Sequence, residues 1–361
     1  MSPGATPGAA SAAAGPFVLI CGLDHANVAE EEQVFRKAGV RFGHVLARTE
    51  DDLLRQCGEA DALLIQYGLL TRRVIEGLPR LRLLVRYGVG VDGVDLEAAT
   101  ERGIPVANVP DYGTDEVANH AVALLLALAR KITRLDRQTR AGRWDVFEAQ
   151  PIHRLAGQTV GIVGCGRIGS RVARKLGGFD VRLLGHDPYI QELPPGVQPA
   201  QLESLLAESD YVTLHCPLTA GTRHLIDGAA LARMKPTAMV VNTARGGLVD
   251  TAALIAALEG GRLAGAGLDV TEQEPLDPAS SLLRMEQVIV TPHAAWYSEE
   301  GRSDLKRRVA EEAVRVLVRG EPPENCVNPE VFGRVGRWSG LTIWRSQRHR
   351  SQGSECRDRK A

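Results

Sequence analysis

The sequence predicts an α/β protein made of two doubly wound, parallel-sheet domains. Short apolar, β-branched runs alternate with helical stretches along most of the chain, which implies parallel sheets covered by helices on both faces. There are more such runs than one ordinary sheet holds. The length of 361 residues, 44% hydrophobic and 24% charged, suits two soluble cores.

The runs come in two sets. The first is FVLICGL (17–23), DALLIQY (61–67), LRLLVRY (81–87) and IPVAN (104–108). The second is TVGIVG (159–164), VRLLGHD (181–187), YVTLHC (211–216), AMVVNT (238–243), GAGLDV (265–270) and VIVT (288–291). Between them lies a long helical pattern, 114–140, with Thr114 as N-cap and Asp115 and Glu116 at its positive end. Val117, Ala121, Leu124, Leu128, Ile132 and Leu135 form one stripe, and 121–129 is apolar on every side. That stretch is expected where two domains or two subunits meet, and it is too short to span a bilayer.

The ends differ from the middle. Residues 1–16 are Ala, Gly, Pro and Ser with neither a basic start nor a long apolar run, so a disordered leader is expected rather than a signal peptide. Residues 332–361 are basic, with Arg334, Arg337, Arg345, Arg348, Arg350, Arg357, Arg359 and Lys360 facing only Glu355 and Asp358. We read this segment as a solvated, disordered extension. Its interleaved Trp338 and Trp344 are the one hint of a partner surface. A net charge of −1 argues against nucleic acid as the main partner. Cys21, Cys57, Cys165, Cys216, Cys326 and Cys356 show no paired metal spacing, and we expect no metal and a reducing, cytoplasmic setting.

TVGIVGCGRIGSRVARKL (159–176) carries Gly164, Gly166 and Gly169 as G-x-G-x-x-G, after a strand and at the start of a helix. Asp187 follows at the end of the next strand, 18 residues beyond Gly169. This is the context a dinucleotide fingerprint requires. Gly164 permits a tight turn, Gly166 lets a pyrophosphate approach the backbone and Gly169 lets helix pack on strand. Asp187 would bond the adenine ribose hydroxyls and repel a 2′-phosphate, which favours NAD over NADP. Three later strand ends carry Arg245 (VVNTARGGLVD), Asp269 with Glu274 (GLDVTEQEP) and His293 (TPHAAW). In an open α/β sheet these ends converge on the ligand crevice. An arginine fork suits a carboxylate or α-keto acid, a histidine passes protons near neutral pH, and a carboxylate at one imidazole nitrogen favours the charged ring.

The order GCGRIG, Asp187, HCPLTAGTRHLI (215–226), NTARGGLVD, GLDVTEQEP, TPHAAW resembles the D-isomer-specific 2-hydroxyacid dehydrogenases over about residues 17–331. The resemblance implies a Rossmann-type NAD domain (119–296) inserted into a split, flavodoxin-like substrate domain (17–118 and 297–331). It implies Arg245, Glu274 and His293 as the catalytic triad. It places Arg167, Ile168, His215, Cys216, Pro217, Thr222, Thr243, Ala244 and Asp269 with the glycines and Asp187 around NAD. RYGVGVDGVDLEAATERGIPVANVP (86–110) is similar to the family's substrate-domain signature, with Val89 and Gly90 offering N–H groups to a substrate carboxylate. TPHAAWYSEE, VR-x-G-x-G at 85–90 and NCVN at 325–328 look like the C-terminal-binding-protein branch, some of whose members are NAD(H)-responsive corepressors. That likeness implies Arg86 as a second carboxylate contact and Trp296 as a wall against an apolar substrate side chain. The expected activity is interconversion of a D-2-hydroxy acid and a 2-keto acid, the alternative being an NAD(H)-sensing interaction protein with incidental turnover. A homodimer is implied around 121–129. Two positions depart from the family pattern: Gly93 replaces an Asn, in what we expect to be a left-handed site, and Asp180 stands where a helix-ending Gly is common. The basic tail is not the regulatory domain of long phosphoglycerate dehydrogenases, which argues against a feedback-controlled serine-pathway enzyme.

Overall fold

In the computed structural model, which describes residues 15–23 and 27–333, the apolar runs assemble into two wholly parallel sheets. The leader except Gly15 and Pro16, and the tail beyond Gly333, lie outside the described residues. The first sheet comprises β1 (Phe17–Cys21), β2 (Arg41–Val45), β3 (Ala62–Ile65), β4 (Leu83–Arg86) and β5 (Val106–Ala107), in the order β2-β1-β3-β4-β5. The second comprises β6 (Thr159–Val163), β7 (Arg182–His186), β8 (Val197–Pro199), β9 (Tyr211–Leu214), β10 (Met239–Asn242), β11 (Gly265–Leu268) and β12 (Val288–Val290), in the order β12-β11-β10-β9-β6-β7-β8. The first order is that of flavodoxin; the second is the Rossmann order with one further strand.

The helices of the first sheet are α1 (Ala29–Ala38), α2 (Glu50–Gln56), α3 (Arg72–Gly77) and α4 (Leu96–Glu101). Next come α5 (Thr114–Ala129), α6 (Ile132–Arg140), α7 (Arg167–Leu176), α8 (Leu202–Glu208), α9 (Gly228–Arg233), α10 (Thr251–Glu259) and α11 (Glu299–Leu317). Cap chemistry fixes several starts. Thr49 and Asp52 form a reciprocal capping box at α2, and Asp95, Asp227 and Asp250 each accept an N–H of the first turn of α4, α9 and α10. Thr114, expected as a cap, is instead the first helical residue of α5, with Gly113 before it.

Two compact units result, one from the described parts of 1–112 and 302–361, the other from 113–301. The sequence boundary at 118/119 would cut α5, which packs from its first turns into the second unit. The returning chain joins the first unit at β5: Asn328, 1% exposed, accepts from the Val106 N–H at 2.8 Å and donates to the Ile104 carbonyl and the Thr100 hydroxyl.

The segment 121–129 finds its apolar cover inside the second unit. Ala121, Leu124, Leu125 and Leu128 are buried with Val160, Ile162, Val172, Leu176 and Val241. Each buried Leu is worth roughly 1.5–3 kcal/mol, so the chain's own sheet covers most of this stretch, leaving Ala123 exposed and Leu126 and Ala127 half-buried. Gly93 is not left-handed, contrary to expectation; a Cβ there would meet the Gly68 carbonyl at 3.3 Å, so close backbone approach is what favours glycine. Asp180 is left-handed, φ +55°, just where a glycine would be at ease.

One buried carboxyl gives a pH signature. Glu312 on α11 is 5% exposed and accepts the Glu324 N–H at 3.0 Å. Burial pushes it up to about 7, with the Glu324 charge adding to the rise and the Glu324 N–H, Arg315 and Arg308 opposing it. The folded state therefore holds this proton more tightly than the unfolded chain. Stability from this group is complete below about pH 4.5 and is lost as pH rises towards 7, on the order of 3 kcal/mol at most. Glu312→Gln keeps the acceptor and removes the titration. Its melting temperature should match the native protein's near pH 5 and exceed it at pH 8; equal differences at both values would refute the assignment.

Candidate active site

The strand order reverses at β6, which has β7 on one side and β9 on the other. A crevice opens at the carboxyl ends of the strands at such a switch point. Gly164, φ +89°, directly follows β6; a Cβ on it would lie 2.6 Å from the Cys216 nitrogen after β9. A Cβ on Gly169 would lie 2.0 Å from the Gly164 carbonyl oxygen, so only glycine lets α7 close on its own turn. At Gly166 a Cβ would meet nothing within 4 Å. That open position precedes α7, whose N-cap makes no side-chain bond and whose first turn holds no acid. The exposed Arg167 stands there too, and the half-buried Ile168 anchors the turn in the core. A helix N-terminus built this way accepts an anion.

The rest of the cradle follows from neighbouring strand ends. Asp187, after β7, accepts the Cys165 N–H at 2.9 Å and the Tyr189 N–H at 3.0 Å. One bond per oxygen leaves lone pairs for ribose hydroxyls. His215 and Cys216 follow β9. Burial pushes His215 down to about 3 and the Cys216 thiol up to about 11, so both are neutral at working pH. His215 Nε2 meets the Thr213 hydroxyl at 2.9 Å, while its Nδ1 and the Thr243 hydroxyl are buried with no hydrogen-bond partner among the described residues. Buried orphan polar atoms beside a cleft are what a bound ligand would satisfy. Thr222 ties its own loop, donating to the Pro217 carbonyl and accepting the Thr219 N–H, each at 2.7 Å. The open glycine, the uncapped helix and the orphan atoms together fit a dinucleotide.

His293, Glu274 and Arg245 meet beside this cradle. His293 Nδ1 is 2.7 Å from Glu274 Oε2. Burial alone would raise the Glu274 carboxyl, but His293, the Thr271 N–H at 3.1 Å and the Arg245 charge outweigh it and hold it below its usual range. An ionised Glu274 can only accept, so Nδ1 carries the proton and Nε2 is left for a substrate. The side chains are 45% and 39% exposed, so the pair adds little to stability and its value is orientation. Arg245 follows β10. The Asn242 amide donates to its carbonyl at 2.9 Å, and its own Nη1 donates to the Ala244 carbonyl at 2.6 Å. A Cβ on Gly246 would sit 2.0 Å from the Thr271 carbonyl, so the Arg245 and Glu274 turns pack backbone to backbone.

Asp269, grouped on sequence with the cofactor residues, is 2% exposed and has its carboxylate committed elsewhere. It accepts the Thr291 hydroxyl at 2.6 Å and the Ala294 and Ala295 N–H groups at 2.8 and 2.9 Å. Trp296, half-buried, sets its ring edge-on to Tyr297 at 5.7 Å, and its backbone lies against Gly113. Arg86, Val89 and Gly90 belong to the first unit, at the end of β4. Arg86 Nε reaches the Gly90 carbonyl at 3.4 Å, and Val89, 44% exposed, accepts the Asn108 amide at 2.7 Å. Sequence reasoning missed Asn242, fully buried at the end of an apolar strand. It also missed His224, which meets Glu272 at 2.6 Å in the turn that carries Glu274. A polar residue closing an apolar strand was the available signal for the first; nothing local marked the second.

Fold and cradle define a dinucleotide-dependent dehydrogenase, and comparison with known proteins makes this specific. Residues 122–295 match the family described as D-isomer specific 2-hydroxyacid dehydrogenase, NAD binding domain. A glyoxylate reductase of Korarchaeum cryptofilum is 46% identical over 290 residues, covering 77% of this chain and 86% of that one. A D-3-phosphoglycerate dehydrogenase of Archaeoglobus fulgidus is 37% identical over 297 residues, 81% of this chain but 56% of the relative. The structure of D-lactate dehydrogenase from Aquifex aeolicus with NAD and lactic acid has a TM-score of 0.77 at 28% identity, covering 86% of this chain and 99% of that one. The chain belongs to the D-isomer-specific 2-hydroxyacid dehydrogenase family. It is an NAD-dependent enzyme.

Proposed function

We propose that the chain reduces small 2-keto acids to 2-hydroxy acids, of D configuration where the product is chiral, with glyoxylate as the first candidate because a glyoxylate reductase is among its relatives. The observation that carries the reading is the 2.7 Å contact between His293 Nδ1 and an ionised Glu274, in a turn packed on that of Arg245. NADH, when bound, supplies the hydride. His293 Nε2 gives the proton to the carbonyl oxygen, Glu274 steadies the imidazolium, and Arg245 holds the carboxylate and the developing charge. Arg86 and the backbone of Val89 and Gly90 act as further carboxylate contacts, and Trp296 as an apolar wall. Asp187 selects NADH. Purified protein should oxidise NADH with glyoxylate or pyruvate and use NADPH poorly, and Asp187→Ala should narrow that gap. No turnover on any 2-keto acid, or equal affinity for both cofactors, would overturn the reading.

The finer placement in the C-terminal-binding-protein-like branch is supported by TPHAAWYSEE, VR-x-G-x-G and NCVN. The corepressor-like alternative is not favoured, since the relatives are dehydrogenases and the tail that suggested a partner lies outside the described residues. We infer a homodimer on new grounds: Ile132, Trp144, Val146 and Phe147 are 55%, 91%, 63% and 70% exposed, an apolar display that a second copy would cover. Light scattering should give twice the chain mass, falling to one in Trp144→Asp with Phe147→Asp. The expectation of a cytoplasmic protein is supported by unpaired Cys21, Cys57, Cys165, Cys216 and Cys326. Among the described residues no helix is long and apolar enough to cross a membrane.

A further inference from the structure

His293 holds a left-handed backbone, φ +54°, which a non-glycine residue keeps only when its surroundings impose it. The imposing group is Asp269. Its carbonyl accepts the His293 N–H at 2.8 Å, and its carboxylate takes the next two N–H groups, Ala294 at 2.8 Å and Ala295 at 2.9 Å. The carboxylate is itself aimed from outside the turn. The Thr291 hydroxyl donates to Oδ1 at 2.6 Å, and His120 Nε2, from α5, lies 2.9 Å from that hydroxyl and 3.5 Å from Oδ1. Thr291 has one hydroxyl proton and it goes to Asp269. The oxygen must then accept from His120, so Nε2 carries a hydrogen. A directed chain runs from His120 to Thr291 to Asp269 to the turn that presents His293.

We propose that His120 and Thr291 are positioning residues for His293, acting through the Asp269 carboxylate; this rests on the reading of His293 as proton donor. Neither residue need touch substrate. Thr291→Val keeps the shape and removes the donor, and His120→Leu removes the far end of the chain. Each should lower kcat for keto-acid reduction about tenfold, the scale of one lost hydrogen bond, with the KM and the NADH dissociation constant nearly unchanged. Because the links act in series, the double variant should be no slower than the slower single one. Thr291→Ser and His120→Gln, which keep a donor in place, should recover most of the rate, a result that loss of packing would not give. Independently of turnover, the Ala294 and Ala295 amides should exchange with solvent about tenfold faster in both donor-less variants.

Native kcat together with native amide exchange in Thr291→Val and His120→Leu would overturn the proposal, as would fully multiplicative losses in the double variant. If the unaltered protein reduces no 2-keto acid, the functional reading fails. The exchange rates then decide the clamp without it.

Discussion

His293→Ala should lower kcat for keto-acid reduction by about 10²–10⁴-fold, with NADH affinity nearly unchanged. Hydride addition leaves the former carbonyl oxygen strongly basic, and a proton must reach it in the same step. With Nδ1 committed to Glu274 at 2.7 Å, Nε2 is the nitrogen left to deliver it. The fold should survive the change, because the pair is 45% and 39% exposed and exposed ion pairs contribute little. Melting temperature is therefore the control: a large drop would mean that the side chain does structural work as well. Glu274→Gln tests the partner. The native carboxyl is held below its usual range, with His293 foremost among the groups that lower it, so it stays an ionised acceptor for the Nδ1 proton. Replacing it by an amide should lower kcat about tenfold, because a neutral acceptor holds the ring less firmly than a charged one. Native-rate reduction by His293→Ala, or by Glu274→Gln, would remove the acid–base pair.

What the sequence made legible follows from burial. Every strand flanked by two others was visible as an apolar run, because both of its faces are covered. Two strands were missed, β2 and β8, and each lies at a sheet edge. β2 has only exposed and half-buried residues and none fully buried, and β8 has three residues, one of them Pro199. Edge strands can be polar, short and proline-bearing, so composition does not announce them. In the candidate site, residues whose chemistry is unusual for a strand end stood out: Arg245, Glu274 and His293. His120 did not, since on sequence it is one polar position on an apolar helix, and its link to Asp269 depends on how α5 packs against β11 and β12. At 121–129 the converse limit applies, since most of that stretch is buried within its own unit. An apolar stretch shows that something covers it, not whether the cover is the same chain.

Arg245→Ala should cost about 10²–10³-fold or more in kcat/KM for 2-keto acids, more than Arg86→Ala, and neither change should weaken NADH binding greatly. The two arginines differ in their surroundings. Arg245 sits where its turn packs on that of Glu274, close enough for its charge to help hold that carboxyl ionised. On the proposed reading, a cation there would meet the substrate carboxylate and also the negative charge that grows on the carbonyl oxygen as hydride arrives. Interactions that strengthen towards the transition state raise kcat, whereas uniform binding acts on KM. Arg245→Ala should therefore depress kcat and kcat/KM together, and Arg86→Ala should act mainly through KM. Arg245→Lys should recover only part of the loss, because an ammonium keeps the charge but not the planar fork that matches a carboxylate. The Glu274 carboxyl should also titrate at higher pH in Arg245→Ala, since one of the charges that lowers it is gone, and activity should then fall earlier on the acid side. If Arg245→Ala instead left kcat intact and weakened only NADH binding, Arg245 would belong to the cofactor cradle and the carboxylate would have to be held by other groups.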